Sequence, residues 1–207
     1  MFKIECLSDI QKSYLCNMKI YFINGIDVFD ENFIEQCSSF FPKWRRDKML
    51  SYKFLKGRVQ SALAYILLIY ALRKEGVFVD MPEFYYGEHK KPYLKNYPGW
   101  HFNLSHCKDA VCCVLSQEEV GIDIEKIGEY KENLAAYISN EEELEQLHNS
   151  DNQTDDFYKL WTEKEAVFKL LGSGITKDIK NILNKDKNIV VDSYKIGDMW
   201  LSVSYNN

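Results

Sequence analysis

A mixed α+β fold follows from three features of this 207-residue sequence. Trp100 to Glu125 reads as three short strands, Trp100–Ser105, Ala110–Leu115 and Val120–Glu125, with polar turns at His106–Asp109 and Ser116–Glu119. From about Leu50 to Lys74, the apolar positions Leu55, Val59, Ala62, Leu63, Ile66 and Tyr70 recur at spacings of three and four, the period of a well-buried helix. A second long helical pattern, Asp155–Leu171, stops at Gly172 and Gly174.

The remaining elements fill in around these. Residues 1–30 read as extended segments with turns, including a strand Ile20–Ile23 that ends at Asn24-Gly25. A short helix is expected over Glu31–Phe40, and Gly76 closes the long helix. Phe84–Tyr86 is a short strand before a Gly87–Pro92 turn. Helices follow near Lys131–Ile138 and Glu141–His148, the second with Ser139 and Glu142 at capping-box spacing. Asn149–Thr154 is a loop, and the tail from about Asn188 alternates as strands. No repeat or low-complexity stretch is present, and a junction between halves is expected near Ser116–Glu119.

Composition narrows the function classes. An apolar content of 46% can build a core for one domain or two small ones. The longest apolar run, Ala62–Leu72, is too short to span a bilayer, and the first residues lack a signal-peptide pattern, so a cytoplasmic protein without membrane partners is expected. The six cysteines show neither Cys-x-x-Cys spacing nor a zinc-like pattern with the four histidines. The net charge of −5 hides a division: residues 1–118 carry 16 basic and 13 acidic side chains, residues 119–207 carry 10 and 18. One half suits anions and the other cations, as a metal–polyphosphate complex requires.

The chemistry concentrates in two stretches. In the strand Gly121-Ile122-Asp123-Ile124-Glu125, Asp123 and Glu125 share one face, with Cα atoms about 7 Å apart, within reach of one divalent ion. In the helix, Glu165 and Lys169 lie four apart on one face, beside Trp161. Alone, the first pair also describes a solvated strand face and the second an ordinary helix ion pair. Together they outline a magnesium-dependent phosphoryl-transfer site. The basic run Lys43, Arg45, Arg46, Lys48, Lys53, Lys56 and Arg58 reads as a solvated face, a nucleic-acid surface or a small-molecule phosphate site. Overall acidity and the lack of interleaved stacking aromatics argue against nucleic acid. His106 is structural or a phosphate partner.

In order and spacing, Phe102-Asn103-Leu104-Ser105-His106, Gly121–Glu125 and Trp161-x-x-Lys164-Glu165-Ala166 with Lys169 resemble the phosphopantetheinyl transferases, in particular the surfactin-synthetase-activating type. Gly87-x-x-x-Lys91-Pro92 is similar to that family's Gly-Lys-Pro turn, and the match runs from about Lys43 to Ile175. The resemblance implies transfer of the phosphopantetheine arm of coenzyme A to a serine of an acyl or peptidyl carrier protein, releasing adenosine 3′,5′-bisphosphate. It implies a pseudo-dimer of two similar α+β halves, residues 1–117 and 118–207, with coenzyme A in the cleft between them. By the same resemblance Asp123, Glu125 and Glu165 hold Mg2+, Lys169 contacts the pyrophosphate, and Glu165 is a candidate base. Lys43, Arg46, Arg58, Lys91, Ser105 and His106 match coenzyme-contacting positions. Already two-halved, the protein is expected to be a monomer.

Two departures stand out. Cys107-Lys108-Asp109 follows His106 where the family more often has Ser or Gly, and Ser173 stands where a Lys is frequent. Two other readings fit the residues: a metal-dependent phosphodiesterase or nuclease, and a non-catalytic module that binds coenzyme A or a carrier.

Overall fold

Local sequence accounts for the elements of the computed structural model, which describes residues 4–7, 18–87, 89–174 and 177–207. In chain order these are β1 (Ile4–Cys6), β2 (Met18–Asn24), α1 (Glu31–Phe40), α2 (Lys43–Leu50), α3 (Leu55–Lys74), β3 (Phe84–Tyr86), β4 (Pro92–Leu94), β5 (His101–His106), β6 (Ala110–Ser116) and β7 (Val120–Lys126). Then come α4 (Glu132–Ile138), α5 (Glu141–His148), α6 (Gln153–Leu171), a 3-10 segment (Lys177–Asn184), β8 (Ile189–Ile196) and β9 (Met199–Asn206). Cys16, Ile175 and much of the expected extended N-terminal stretch lie outside the described residues.

Two antiparallel sheets carry the architecture, one of order β1-β2-β6-β5 and one of order β7-β9-β8, with β3 and β4 as a separate hairpin. Side chains alternate across the first sheet. Tyr21, Ile23, Val111, Cys113 and Leu115 face α3, where Val59, Ala62, Leu63 and Leu67 complete one core. Ile20, Phe22, Cys112 and Val114 face the other way and pack against Ile122, Ile124, Leu201 and Val203 of the second sheet. On the far side of that sheet lies α6, whose Phe157, Val167 and Phe168 join Ala135, Ile138 and Leu147 in a third core. The layers therefore run α3, sheet, sheet, α6. By length and composition α3 would suffice to cross a membrane, but here it is a core helix: Ala62, Leu63, Leu67, Leu68 and Leu72 are fully buried.

The edge strands of the two sheets, β5 and β7, meet. The Ile122 N–H donates to Asn103 Oδ1 at 3.4 Å across the seam, and Ser105 on β5 bonds Asp123 on β7. Helix α6 reaches this seam because Gly121 carries no side chain. A Cβ there would land on the Ala166 carbonyl oxygen and the Leu170 amide nitrogen, with Ser204 Oγ at 2.9 Å.

Several boundaries differ from the sequence reading, each for a local reason. The helix expected from Leu50 is broken by Ser51–Phe54, so Lys43, Arg45, Arg46 and Lys48 lie on a separate helix, α2, and α3 begins at Leu55 with Lys56 and Arg58 in its first turn. Pro92 enters β4, pairing with Tyr86, where only a turn was expected. The capping box lies one residue on: Asn140 Oδ1 accepts the Glu143 N–H and Glu143 Oε2 accepts the Asn140 N–H, both at 2.9 Å. The first turn of α6 begins at Gln153, and the 3-10 segment was not expected.

Candidate active site

The seam between β5 and β7 gathers the polar chemistry. Asp123 is 3% exposed. Its Oδ1 accepts from Ser105 Oγ at 2.7 Å and from Lys169 Nζ at 2.6 Å, and Lys169 also donates to Ser105 Oγ at 2.7 Å. Strand alternation supplies Asp123 and Ser105, and Lys169 descends from the last turn of α6. The other carboxylate oxygen, Asp123 Oδ2, is buried and has no hydrogen-bond partner among the described residues. An unpaired buried oxyanion is costly unless something cationic reaches it.

Glu125 and Glu165 share this electrostatic neighbourhood. Burial, then the charge of Asp123, pushes Glu125 up to about 7, Glu165 adding to the effect against the opposing Trp161 and Lys169. Glu165 is raised by burial first and by Asp123 second, with Lys169 opposing. Burial alone would lower Lys169, but the bond and charge of Asp123 outweigh it and hold the ammonium protonated. His106 keeps an exposed edge, yet the protein around it and then the Lys169 charge push its pKa down, so the free ring is neutral. Among the described residues, no three acidic, histidine or cysteine side chains are drawn together as ligands of one ion. Lys169 serves Asp123 as counter-ion. The donor set nonetheless fits a hard divalent ion: three carboxylates, two of them with pKa raised by burial and by Asp123, and one orphaned oxygen.

Two cavities flank this cluster. One, of about 330 Å³, is walled by Glu165, Phe168, Lys169, Asn103, Lys90 and Gly172. The other, of about 290 Å³, has an aromatic wall of Trp44, Tyr65, Phe84, Tyr86 and Phe102, with Arg45, Lys48 and His106 at its polar side. A larger space of about 680 Å³, between Asn24–Phe29, Lys56 and Lys108–Asp109, holds none of the three carboxylates. The first cavity is the candidate site because Glu165 and Lys169 line it, and the aromatic cavity adjoins it through Lys90, Pro92 and Leu104.

The basic residues named from sequence fare differently. Lys43 points to solvent and pairs with Asp47 at 2.6 Å, Arg46 donates to the Ser38 carbonyl, and Arg58 donates to the Tyr52 carbonyl and pairs with Glu31. None of the three lines either cavity. Helical phase is the reason. On α2, positions 45, 48 and 49 share one face, opposite to 43, 46 and 47. The inward face presents Arg45, 6% exposed, bonded to the Ser61 carbonyl and Oγ and stacked over Tyr65. Trp44 and Ser61, which the sequence does not single out, line the aromatic cavity with Arg45 and Lys48, which it names only as part of the basic run; the helical phase of α2 separates these two cations from Lys43 and Arg46. Lys91 lines the first cavity, and its buried ammonium donates to Glu119 at 2.7 Å and to the Leu170 carbonyl at 2.8 Å.

Known proteins similar to this chain share one family description. A profile of the 4′-phosphopantetheinyl transferase superfamily matches residues 119–198. A 4′-phosphopantetheinyl transferase of Bacillus subtilis is 33% identical over 144 residues, 69% of this chain and 59% of that protein. The 4′-phosphopantetheinyl transferase psf-1 of Bacillus pumilus is 31% identical over 170 residues, 77% of this chain and 71% of its own length. The 4′-phosphopantetheinyl transferase Sfp of Bacillus subtilis strain 168 is 26% identical, covering 84% of this chain and 81% of the relative.

Proposed function

This chain belongs to the 4′-phosphopantetheinyl transferase superfamily, and we propose that its seam transfers the phosphopantetheine arm of coenzyme A, in the presence of Mg2+, to a serine of an acyl or peptidyl carrier protein. The observation that carries this reading is the buried Ser105–Asp123–Lys169 cluster, with Glu125 and Glu165 beside it, set between two cavities. In the reaction the carrier serine oxygen attacks the phosphorus bearing the arm. The bond from that phosphorus to the bridging oxygen breaks, and adenosine 3′,5′-bisphosphate leaves.

Phosphoryl transfer of this kind asks the protein for positioning and for charge. The aromatic cavity suits the adenine, with Lys48 and His106 available to its phosphate. Lys169 stands where negative charge grows on the leaving side. A neutral His106 can donate a hydrogen bond to a phosphate oxygen, and gains a proton once an anion settles beside it. Glu165 is a candidate to accept the serine proton where it ligates the cation only loosely. Asp123, Glu125 and Glu165 would hold Mg2+, which when bound neutralises the pyrophosphate oxygens.

The coenzyme cleft between residues 1–117 and 118–207, pictured as two similar halves, belongs to the same reading, as do a monomeric state and a cytoplasmic location. Cys37, Cys107, Cys112 and Cys113 are free thiols, as a reducing compartment favours. The test is intact-mass measurement of apo carrier proteins of the fatty-acid, polyketide and peptide classes after incubation with protein, Mg2+ and coenzyme A. The modified carrier gains about 340 Da, the mass of the arm. EDTA or Asp123→Ala abolishes the gain, and no gain on any of the three classes contradicts the reading.

A further inference from the structure

Lys90 is the one described residue other than glycine with a positive φ, at 64°. The turn around it is closed from both sides: the Lys90 N–H donates to the Gly87 carbonyl at 3.0 Å, and the Gly87 N–H donates to the Lys91 carbonyl at 2.9 Å. A lysine in the left-handed region is strained where glycine is not. Glycine is also the residue before Lys-Pro in the turn this stretch resembles. Something about the lysine offsets the strain.

Its surroundings indicate what. Lys90 is exposed, and no described residue pairs with its ammonium. It lies on the wall of both cavities, with Lys169 and Glu165 in one and with Lys48 and His106 in the other. Only Pro92 and Leu104 share that position, and neither carries charge. The neighbouring Lys91 is spent on Glu119 and Leu170, and Ser173 supplies no cation from the loop after α6. An anion spanning the two cavities therefore meets one uncommitted cation at the place where they join.

We propose that Lys90 is a coenzyme-binding residue whose ammonium takes a phosphate of the coenzyme at the junction of the two cavities, in place of Lys91. This rests on the transferase reading for the identity of the ligand. Its physical basis is separate: a strained, unpaired cation between two adjoining pockets. The residue sets affinity. It does not take part in bond making, so it acts on KM and not on kcat.

The variants Lys90→Gly and Lys90→Asn test this, because both residues accept a left-handed backbone and neither carries charge. Adenosine 3′,5′-bisphosphate and coenzyme A are titrated calorimetrically into each protein without carrier, alongside Lys90→Arg. The neutral variants bind both ligands roughly fivefold more weakly, as loss of one exposed charged contact implies. Lys90→Arg stays near the parent, and kcat at saturating coenzyme A is little changed. Lys90→Gly melts at or above the parent temperature, so weaker binding cannot come from unfolding. Unchanged affinity for the bisphosphate in both neutral variants overturns the proposal, as does a parent protein that binds neither ligand. If the parent modifies no carrier while the neutral variants still lose bisphosphate affinity, the transferase reading fails and Lys90 stands as a nucleotide-binding residue.

Discussion

At the scale of single residues, the site is a problem in charge balance. Asp123 has one oxygen occupied by Ser105 and Lys169 and one orphaned, and its charge feeds into both glutamates. Glu125 is pushed up to about 7 in the metal-free protein, by burial first. An unfolded glutamate titrates near 4.3. Between those values the folded state keeps a proton that the unfolded chain has lost. Stability from this group therefore falls as pH rises through the window, and the full penalty, up to about 3 kcal/mol, is in place above pH 7. Glu125→Gln should raise the melting temperature in EDTA by roughly 5 °C at pH 8 and hardly at all at pH 5. Equal shifts at both pH values would show that Glu125 is not the strained group. Lys169→Ala should lower kcat/KM by about 10²–10³, the usual loss for one electrostatic contact to a developing charge.

The same residues were legible in the sequence because spacing alone orients them: Asp123 with Glu125 by strand alternation, Glu165 with Lys169 by helical repeat. What spacing could not convey was engagement. Lys91 and Lys90 are adjacent in sequence, yet one is buried on Glu119 and the other is free. Only tertiary packing makes that distinction.

At the scale of elements, the placement of α6 decides whether the site exists. Gly121 lets the helix backbone touch β7, and Ser204 Oγ donates to the Ala166 carbonyl at 2.8 Å across the same contact. Gly121→Ala should cost about 3 kcal/mol or more and abolish transfer, since the helix must move to admit a methyl group. Denaturant unfolding measures this, and a fully stable, active Gly121→Ala protein would show that the contact is dispensable. From the other side, Lys164 anchors α6. Fully buried, its ammonium donates to Glu143 at 2.6 Å and to the carbonyls of Ile138, Ile179 and Lys180 at 2.8–3.0 Å. It joins α4, α5 and the 3-10 segment to the helix that bears Glu165. Lys164→Met strands those acceptors and should destabilise by about 3–5 kcal/mol. Sequence pattern found α6 and α1 almost whole because their periodicity is long and unbroken. It lost the start of α3, where Ser51–Phe54 interrupts the helix, and with it the face of α2 that carries Arg45 and Lys48.

For the whole molecule, two sheets of separate origin in the chain meet by their edge strands, and that seam is the candidate site. The expected junction near Ser116–Glu119 falls between β6 and β7, the strands that belong to different sheets. Glu119 lies in that connection and holds Lys91, which in turn holds the carbonyl near the end of α6. Lys91→Met should therefore lower stability by about 2 kcal/mol through lost bonds at the seam, unlike Lys90→Gly, which should not. The sheet orders and the face-to-face packing of β2 and β6 on β7 and β9 lay beyond the sequence reading, because strand patterns do not specify partners across a chain of this length.

The central claim is that Asp123, Glu125 and Glu165 form one cation site for the coenzyme. Thermal melting during a Mg2+ titration, in saturating coenzyme A, tests it most directly. The parent protein should gain stability with rising Mg2+, more at pH 8 than at pH 5, where protons compete for Glu125. Asp123→Asn, Glu125→Gln and Glu165→Gln should each lose most of that gain. Undiminished stabilisation by Mg2+ in all three variants would contradict the account.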